Sequence, residues 1–131
     1  MKRFLLSLFV LAALTTLAYA DKAVIIHPGD TLYLRFDVKG TKIKLAHAGS
    51  EKDDGAQVIF SLTKEVKEYN RTLKVENKFT NDFVYKVEMR SLSLNHQMRG
   101  PSTPVVGGKV SFDNYPMGVE ELALFDFKLE P

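Results

Sequence analysis

The feature that most constrains the fold of this chain is an apolar residue at every second position, repeated in segment after segment. Because the side chains of an extended strand point alternately to opposite faces, this period indicates strands with one buried and one solvated face. The alternation recurs in seven segments, at residues 31–38, 42–45, 57–62, 72–76, 83–90, 110–112 and 125–129. Together with residues 23–27, they predict an all-β chain of seven to eight strands.

Short turn sequences separate these segments and favour antiparallel neighbours. Lys39-Gly40 lies between two closely spaced segments, which is the arrangement of a β-hairpin with a short turn. The polar stretch Thr80-Asn81-Asp82 predicts a second hairpin, because Asn and Asp tolerate the left-handed backbone of tight turns. Closely spaced strands with such turns favour a sandwich or a barrel over a parallel sheet with helices. Residues 63–69 are too few for an independent helix and predict a single turn or an irregular connector.

The apolar phase shifts at two places, and each shift predicts an irregular strand. Residues 83–89 place odd positions inward, whereas Leu92 and Leu94 are even, so a bulge or bend is expected near Arg90-Ser91. In the last segment Leu124 and Phe125 are adjacent and both apolar. A bulge near Leu124, or burial of this strand on both faces, would explain that pair.

Over residues 71–90, a strand that ends near Asn77 is followed by a polar turn and a strand that contains Tyr85. This pattern resembles the paired strands of bacterial periplasmic immunoglobulin-like sandwiches. The resemblance implies an antiparallel immunoglobulin-like β-sandwich as the single domain at residues 21–131, and it implies nothing about function. The Cys pair and the Trp of true immunoglobulin domains are absent, since the chain contains neither residue type.

The first 20 residues have the three-part layout of a secretory signal peptide. Lys2 and Arg3 form a cationic start, an uncharged apolar run covers residues 4–17, and Ala18 and Ala20 stand where a signal peptidase reads small side chains. The run is shorter than the roughly 20 residues that a transmembrane helix needs. We therefore expect cleavage after Ala20, export, and no permanent membrane span in the mature chain.

The amino-acid composition indicates in which compartment the exported domain works and which class of partner it is not expected to bind. The chain has no cysteine, although small exported domains of oxidising compartments usually carry disulfides. This favours a bacterial periplasmic or secreted protein held together by its core alone. Lys2 and Arg3 leave with the leader, so the 18 basic residues of the whole chain fall to 16, equal to the 16 acidic residues. A nucleic-acid partner is not expected, because such partners bind clustered basic surfaces.

Residues that could carry catalysis are few, and we expect no enzymatic activity. The chain has no thiol and no Gly-x-Ser-x-Gly turn for a nucleophilic serine. A small hydrolase is the enzymatic alternative, and it would need His27, His47 or His96 beside a serine and an acid.

Metal binding is the sharpest chemical alternative. His96 and Met98 are two residues apart, which places both on one side of an extended chain. Imidazole and thioether ligands suit copper, so these two residues are the candidate ligands of a periplasmic copper carrier. Three histidines and four methionines in the whole chain are too few to distinguish a copper protein, and the preferred prediction is that no cofactor is bound.

The longest stretch without a strand pattern covers residues 95–109. Loops of this length are uncommon in compact domains and are often functional or disordered, and binding residues collect on loops held by a rigid scaffold. A plain connector between two strands is the open alternative. The turn before the last strand is a second candidate surface, because exposed aromatic and Met side chains suit partner contacts. The candidate binding residues are His96, Met98, Arg99, Val105 and Val106 in the loop, and Tyr115 and Met117 in the turn.

These features together predict a binding or accessory module of the bacterial periplasm or the extracellular space, with no catalytic activity. The expected partner is another envelope protein, a peptide or a glycan. The sequence leaves open which of these it is, the strand order and the oligomeric state.

Overall fold

A computed structural model describes residues 23–91 and 96–131, with His96 described by its backbone alone. The predicted leader, with Ala18 and Ala20, lies outside these residues. The described chain is entirely β, as predicted, and none of it forms a helix long and apolar enough to cross a membrane. The strands are β1 (Val24–Ile26), β2 (Thr31–Lys39), β3 (Lys42–Gly49), β4 (Val58–Leu62), β5 (Asn70–Asn77), β6 (Asp82–Ser91), β7 (His96–Gly100), β8 (Val110–Pro116) and β9 (Glu121–Glu130).

The strands form two antiparallel sheets, consistent with the predicted sandwich. The four-stranded sheet has the order β1-β9-β6-β7, and the five-stranded sheet has the order β3-β2-β4-β5-β8. Inward side chains of both sheets join one core, in which the Phe83 ring packs 5.8 Å from the Phe127 ring and the Phe60 ring meets the Tyr85 ring edge to face at 5.2 Å. Aromatic pairs at such distances add to the stabilisation from burial.

The structure contains one more strand than the seven to eight predicted. The addition is β7, which pairs antiparallel with β6 from Val87 opposite Gly100 to Ser91 opposite His96. Backbone hydrogen bonds define this strand at the edge of its sheet, and its sequence lacks the apolar alternation that marks the others. Residues 95–109 are therefore not one continuous loop.

The hairpin predicted at Thr80-Asn81-Asp82 is wrong, because β5 and β6 belong to different sheets. The Asn77 side-chain amide donates hydrogen bonds to the carbonyl oxygens of Asn81 and Val105, both at 2.9 Å. This buried amide holds the connection by which the chain crosses from one sheet to the other. A polar turn sequence looks the same for such a crossover as for a hairpin, so the sequence could not separate the two.

The last strand shows both of the irregularities that were suggested for it, a bulge and burial on both faces. The β6–β9 pairing shifts register between Val84 and Lys86, and Asp126 on β9 has a left-handed φ of 55°. Residues 122–125 are all buried. In contrast, β6 pairs regularly with β7 and β9 through Arg90, so the described part of the chain has no bulge at that position.

Candidate binding surface

Two predicted binding residues, Val105 and Tyr115, lie in the core, where they cannot contact a partner. Val105 is 0% exposed and Tyr115 is 1% exposed. Val105 and Phe83 exchange two backbone hydrogen bonds of 2.9 Å, so the chain returns to the β6 edge after β7 ends. Tyr115 points inward from β8, and its hydroxyl donates to the Pro101 carbonyl oxygen. The expectation that these residues are exposed is wrong, because residues 101–105, here called the seam, close the gap between the two sheets.

The seam is held by the Asp113 carboxylate, which is 9% exposed. One Asp113 oxygen accepts the Thr103 hydroxyl at 2.6 Å, and the other accepts the Thr103 N–H at 2.8 Å and the Tyr85 hydroxyl at 3.3 Å. Burial raises the pKa of the Tyr85 and Tyr115 hydroxyls, and the nearby carboxylate raises both further. Both phenols therefore stay protonated at neutral pH. The cluster has the satisfied hydrogen bonds of a structural element.

The other predicted binding residues are on the surface, but the fold does not bring them together. Met98, Val106 and Met117 are each about half exposed. Val106 precedes β8 and Met117 follows it, so the length of that strand separates them. Arg99 places its guanidinium 4.7 Å from the centre of the Phe125 ring, where it forms a cation–π contact within the chain. These residues form no single recognition surface.

The candidate copper ligands are only partly described. Met98 is opposite Met89 in the β6–β7 pair, and His96 is opposite Ser91. The His96 side chain lies outside the described part of the structure. Over residues 23–91 and 96–131, no three His, Asp or Glu side chains form a group that could hold a metal ion. The copper alternative stays a prediction.

His27 lies within ion-pair distance of two acidic side chains. Its Nδ1 lies 3.4 Å from Asp30 and its Nε2 lies 3.4 Å from Glu121. The carboxylates occupy opposite ring nitrogens, which leaves neither nitrogen directed at a nucleophile. No serine hydroxyl is hydrogen-bonded to His27 within the described ranges. The hydrolase alternative stays a prediction that this geometry does not favour.

A group of three exposed apolar residues, of which sequence reasoning found only Met117, lies at one end of the sandwich. Val66 and Tyr69 are on the β4–β5 connection, and Met117 is on the β8–β9 connection. Their exposed fractions are 44%, 77% and 50%. The Met117 N–H donates to the Tyr69 carbonyl oxygen at 2.9 Å, and the Arg71 guanidinium donates to the Met117 carbonyl oxygen at 2.6 Å. These bonds hold the two connections together, and the three residues are called the apolar tip.

The turn that carries Tyr69 has an unfavourable backbone for its residues. Lys67 and Asn70 exchange two backbone hydrogen bonds of 2.8 and 2.9 Å, and the two residues between them, Glu68 and Tyr69, have φ values of 52° and 66°. Two-residue turns with positive φ at both central positions normally use Asn and Gly. A left-handed non-glycine residue costs on the order of 1–3 kcal/mol. Strained backbone is concentrated at functional sites. This turn is therefore a candidate binding site, because a role in binding would explain why it keeps residues that do not suit its backbone.

The apolar tip offers a surface without a pocket. The crevice beneath it is lined by Leu62, Arg71, Val119 and Leu122, among others, and is too narrow for a water molecule. The Arg71 guanidinium in the crevice is engaged by backbone carbonyl oxygens. A ligand at this end would therefore contact protruding side chains.

Comparisons of the chain with protein-family models, curated proteins and solved structures found no significant match.

Proposed function

We propose that this chain is an exported bacterial binding module that recognises another envelope protein or a peptide through the apolar tip and catalyses no reaction. The observation that carries the proposal is Tyr69, whose ring is 77% exposed on a turn strained at two adjacent residues. Glycine would adopt this backbone without strain. A large aromatic ring held there at a cost in stability is the kind of side chain that anchors protein interfaces.

The neighbours of Tyr69 support a protein or peptide partner. Val66 and Met117 are exposed apolar residues on the same two connections as Tyr69, and Met adapts its shape to different contacts. The connecting hydrogen bonds hold the two loops before a partner arrives, which lowers the entropy that binding must lose. A glycan is the alternative ligand, since sugars also stack on exposed aromatic rings.

We further propose an immunoglobulin-like sandwich type and a periplasmic or secreted location. The strand pattern of residues 71–90 supports the first, and the leader at residues 1–20 with the absence of cysteine supports the second. Expression of the full-length gene in bacteria, followed by fractionation and N-terminal sequencing, tests the location. We expect an extracytoplasmic protein that begins at Asp21, and recovery of the uncleaved chain from the cytosol would contradict it.

Binding is tested by affinity capture and cross-linking in bacterial envelope extract, followed by titration with the captured protein. The test variant is Tyr69→Asn, because Asn removes the ring and tolerates the left-handed backbone. We expect it to weaken binding by about 30-fold or more, as loss of an interface hot spot does. Met117→Ala should weaken binding less.

Val38→Ala is the matched control, since Val38 is also a half-exposed apolar residue but lies on β2 outside the tip. It should bind like the wild type. Full binding by Tyr69→Asn would remove the tip from consideration. Retention on purified cell-wall glycan that Tyr69→Asn abolishes would instead assign the tip to a sugar ligand.

A further inference from the structure

The four sheet edges differ in how well they are protected from pairing with another chain. Natural proteins protect edge strands by making them short or by placing charges and Pro on them. The β1 edge has three residues, the β3 edge carries Lys42 and Lys44, and the β7 edge carries Arg99 and ends before Pro101. The β8 edge has seven residues, and no charged side chain points outward from it. Its central outward residue, Phe112, is 64% exposed.

The hydrogen-bonding phase of β8 shows which backbone groups are free. The Asn77 N–H donates to Lys109 at one end of the β5–β8 ladder, and the Met117 N–H donates to Tyr69 at the other. Antiparallel ladders bond at alternate residues, so the odd-numbered residues of β8 bond to β5. The N–H and C=O groups of Val110, Phe112 and Asn114 therefore face the open edge. Over residues 23–91 and 96–131, these groups have no other backbone partner.

We propose that β8 pairs antiparallel with β8 of a second copy of this chain, across a twofold axis at Phe112. In this register Phe112 faces Phe112 of the second copy, and Val110 faces Asn114 on both sides of the axis. Because all three residues carry an N–H, the three pairs form six backbone hydrogen bonds. The two five-stranded sheets then become one ten-stranded sheet, a closed twofold assembly.

The ends of β8 fit a twofold register centred at Phe112. Gly108, four residues before Phe112, lies outside the strand and has a left-handed φ of 72°. Pro116, four residues after Phe112, has no N–H to donate. In the proposed register, Gly108 of one copy falls opposite Pro116 of the other. The ladder therefore stops at the same place on both sides, which supports a second copy as the occupant.

An unsatisfied hydroxyl on the inner face of β8 points to the same register. Ser111 Oγ is buried and has no hydrogen-bond partner among the described residues. Such an orphaned group needs an explanation, because buried polar atoms are normally bonded. The register places Ser111 opposite Asp113 of the second copy, and a carboxylate oxygen accepts a hydroxyl hydrogen bond. On the outer face, the two Phe112 rings become cross-strand neighbours.

The interface is small, because only three residues of each copy pair across it. Interfaces below the standard size of about 1,600 Å² are typical of weak or transient association. We therefore expect a dimer whose population rises with protein concentration. This surface is separate from the apolar tip, so self-association and partner binding can be tested independently.

Sedimentation velocity over a concentration series, on the chain purified as the cell produces it, tests the proposal. We expect the wild type to shift from monomer to dimer as concentration rises. Phe112→Lys and Phe112→Glu should each remain monomeric, because like charges would face each other at the axis. An equimolar mixture of the two should recover a one-to-one dimer, because opposite charges then meet there. Val38→Lys, which adds the same charge at a half-exposed valine, should dimerise like the wild type.

Asn114→Pro is a second disrupting variant, because it removes an edge N–H and no backbone bond to β5. It also removes the hydrogen bond that the Asn114 side chain accepts from the Thr72 hydroxyl at 2.9 Å, so Asn114→Ala, which loses that bond but keeps the edge N–H, is its control. Circular dichroism and thermal unfolding establish that each variant is folded. A wild type that stays monomeric at every concentration would overturn the proposal. So would a dimer that survives Phe112→Lys, or a charge-swapped mixture that stays monomeric.

Discussion

The seam is held by a tyrosine of β8 and the apolar tip contains another, and the fold uses the two tyrosines in opposite ways. Tyr115 is buried, and its hydroxyl holds the seam through the Pro101 carbonyl oxygen. Tyr69 is the most exposed large hydrophobic residue in the described chain, and it lies on a strained turn. The comparison shows that a connecting segment can be part of the core, and that the strained turn lies at the exposed end, where we propose that binding takes place.

The two regions also differ in how their polar groups are satisfied. In the seam, the Asp113 carboxylate accepts three hydrogen bonds from Thr103 and Tyr85. At the tip, the hydrogen bonds are between backbone groups or from Arg71 to backbone, and the side chains of Tyr69 and Met117 point to solvent. Substitutions in the seam should therefore change stability, and substitutions at the tip should change binding.

The largest difference is expected when each tyrosine is replaced by alanine. Tyr115→Ala should lower the free energy of unfolding by about 3–5 kcal/mol, because it leaves a large cavity in the core. Tyr69→Ala should change it by less than about 0.5 kcal/mol, because the ring is exposed and alanine keeps the same backbone strain. Urea unfolding followed by circular dichroism measures both. Equal losses at the two positions would mean that the tip is packed and is no binding surface.

A smaller loss is expected when the carboxylate of the seam is removed. Asp113→Ala removes the acceptor that the Thr103 N–H, the Thr103 hydroxyl and the Tyr85 hydroxyl share, at a cost of about 2 kcal/mol. Thr103→Ala is the matched control. It removes the hydroxyl donor but keeps the N–H bond to Asp113, so it should cost about 1 kcal/mol. If Thr103→Ala cost as much as Asp113→Ala, the N–H and Tyr85 bonds would contribute nothing to the seam.

Of the nine strands in residues 23–91 and 96–131, the sequence predicted eight, because each of these has apolar residues on its inward face. It missed β7, because Gln97 and Arg99 alternate there with Met98 and Gly100, and the strand is defined by backbone pairing with β6. The absence of a strand pattern in residues 101–105 also concealed the burial of Val105. Burial there depends on the return of the chain to Phe83, a contact between residues distant in sequence.

The candidate site was predicted less well than the fold. Met117 was predicted to be exposed and is, but Tyr69 was missed because Glu68-Tyr69 lacks the Asn or Gly that marks a tight two-residue turn. Residues 63–69 accordingly predicted a single turn or an irregular connector, without singling out Tyr69. Turns are predicted from residues such as Asn and Gly, which adopt positive φ easily. A turn with positive φ at Glu and Tyr lacks that sequence signal and is not predicted. Such turns are also where function can impose strain.

The smallest expected effect is a gain in stability at the tip, and it tests the strain directly. Tyr69→Gly should raise the free energy of unfolding by about 0.5–1 kcal/mol, because relief of the left-handed backbone exceeds the entropy that glycine loses on folding. The β2–β3 turn provides the reverse substitution. Gly40 has a φ of 62°, and a Cβ at this position would contact nothing within 4 Å, so Gly40→Ala isolates the backbone cost and should lower stability by about 1 kcal/mol. Thermal unfolding of both variants gives the signs. A loss of stability in Tyr69→Gly would show that the ring supports the fold, and the contrast between tip and seam would then fail.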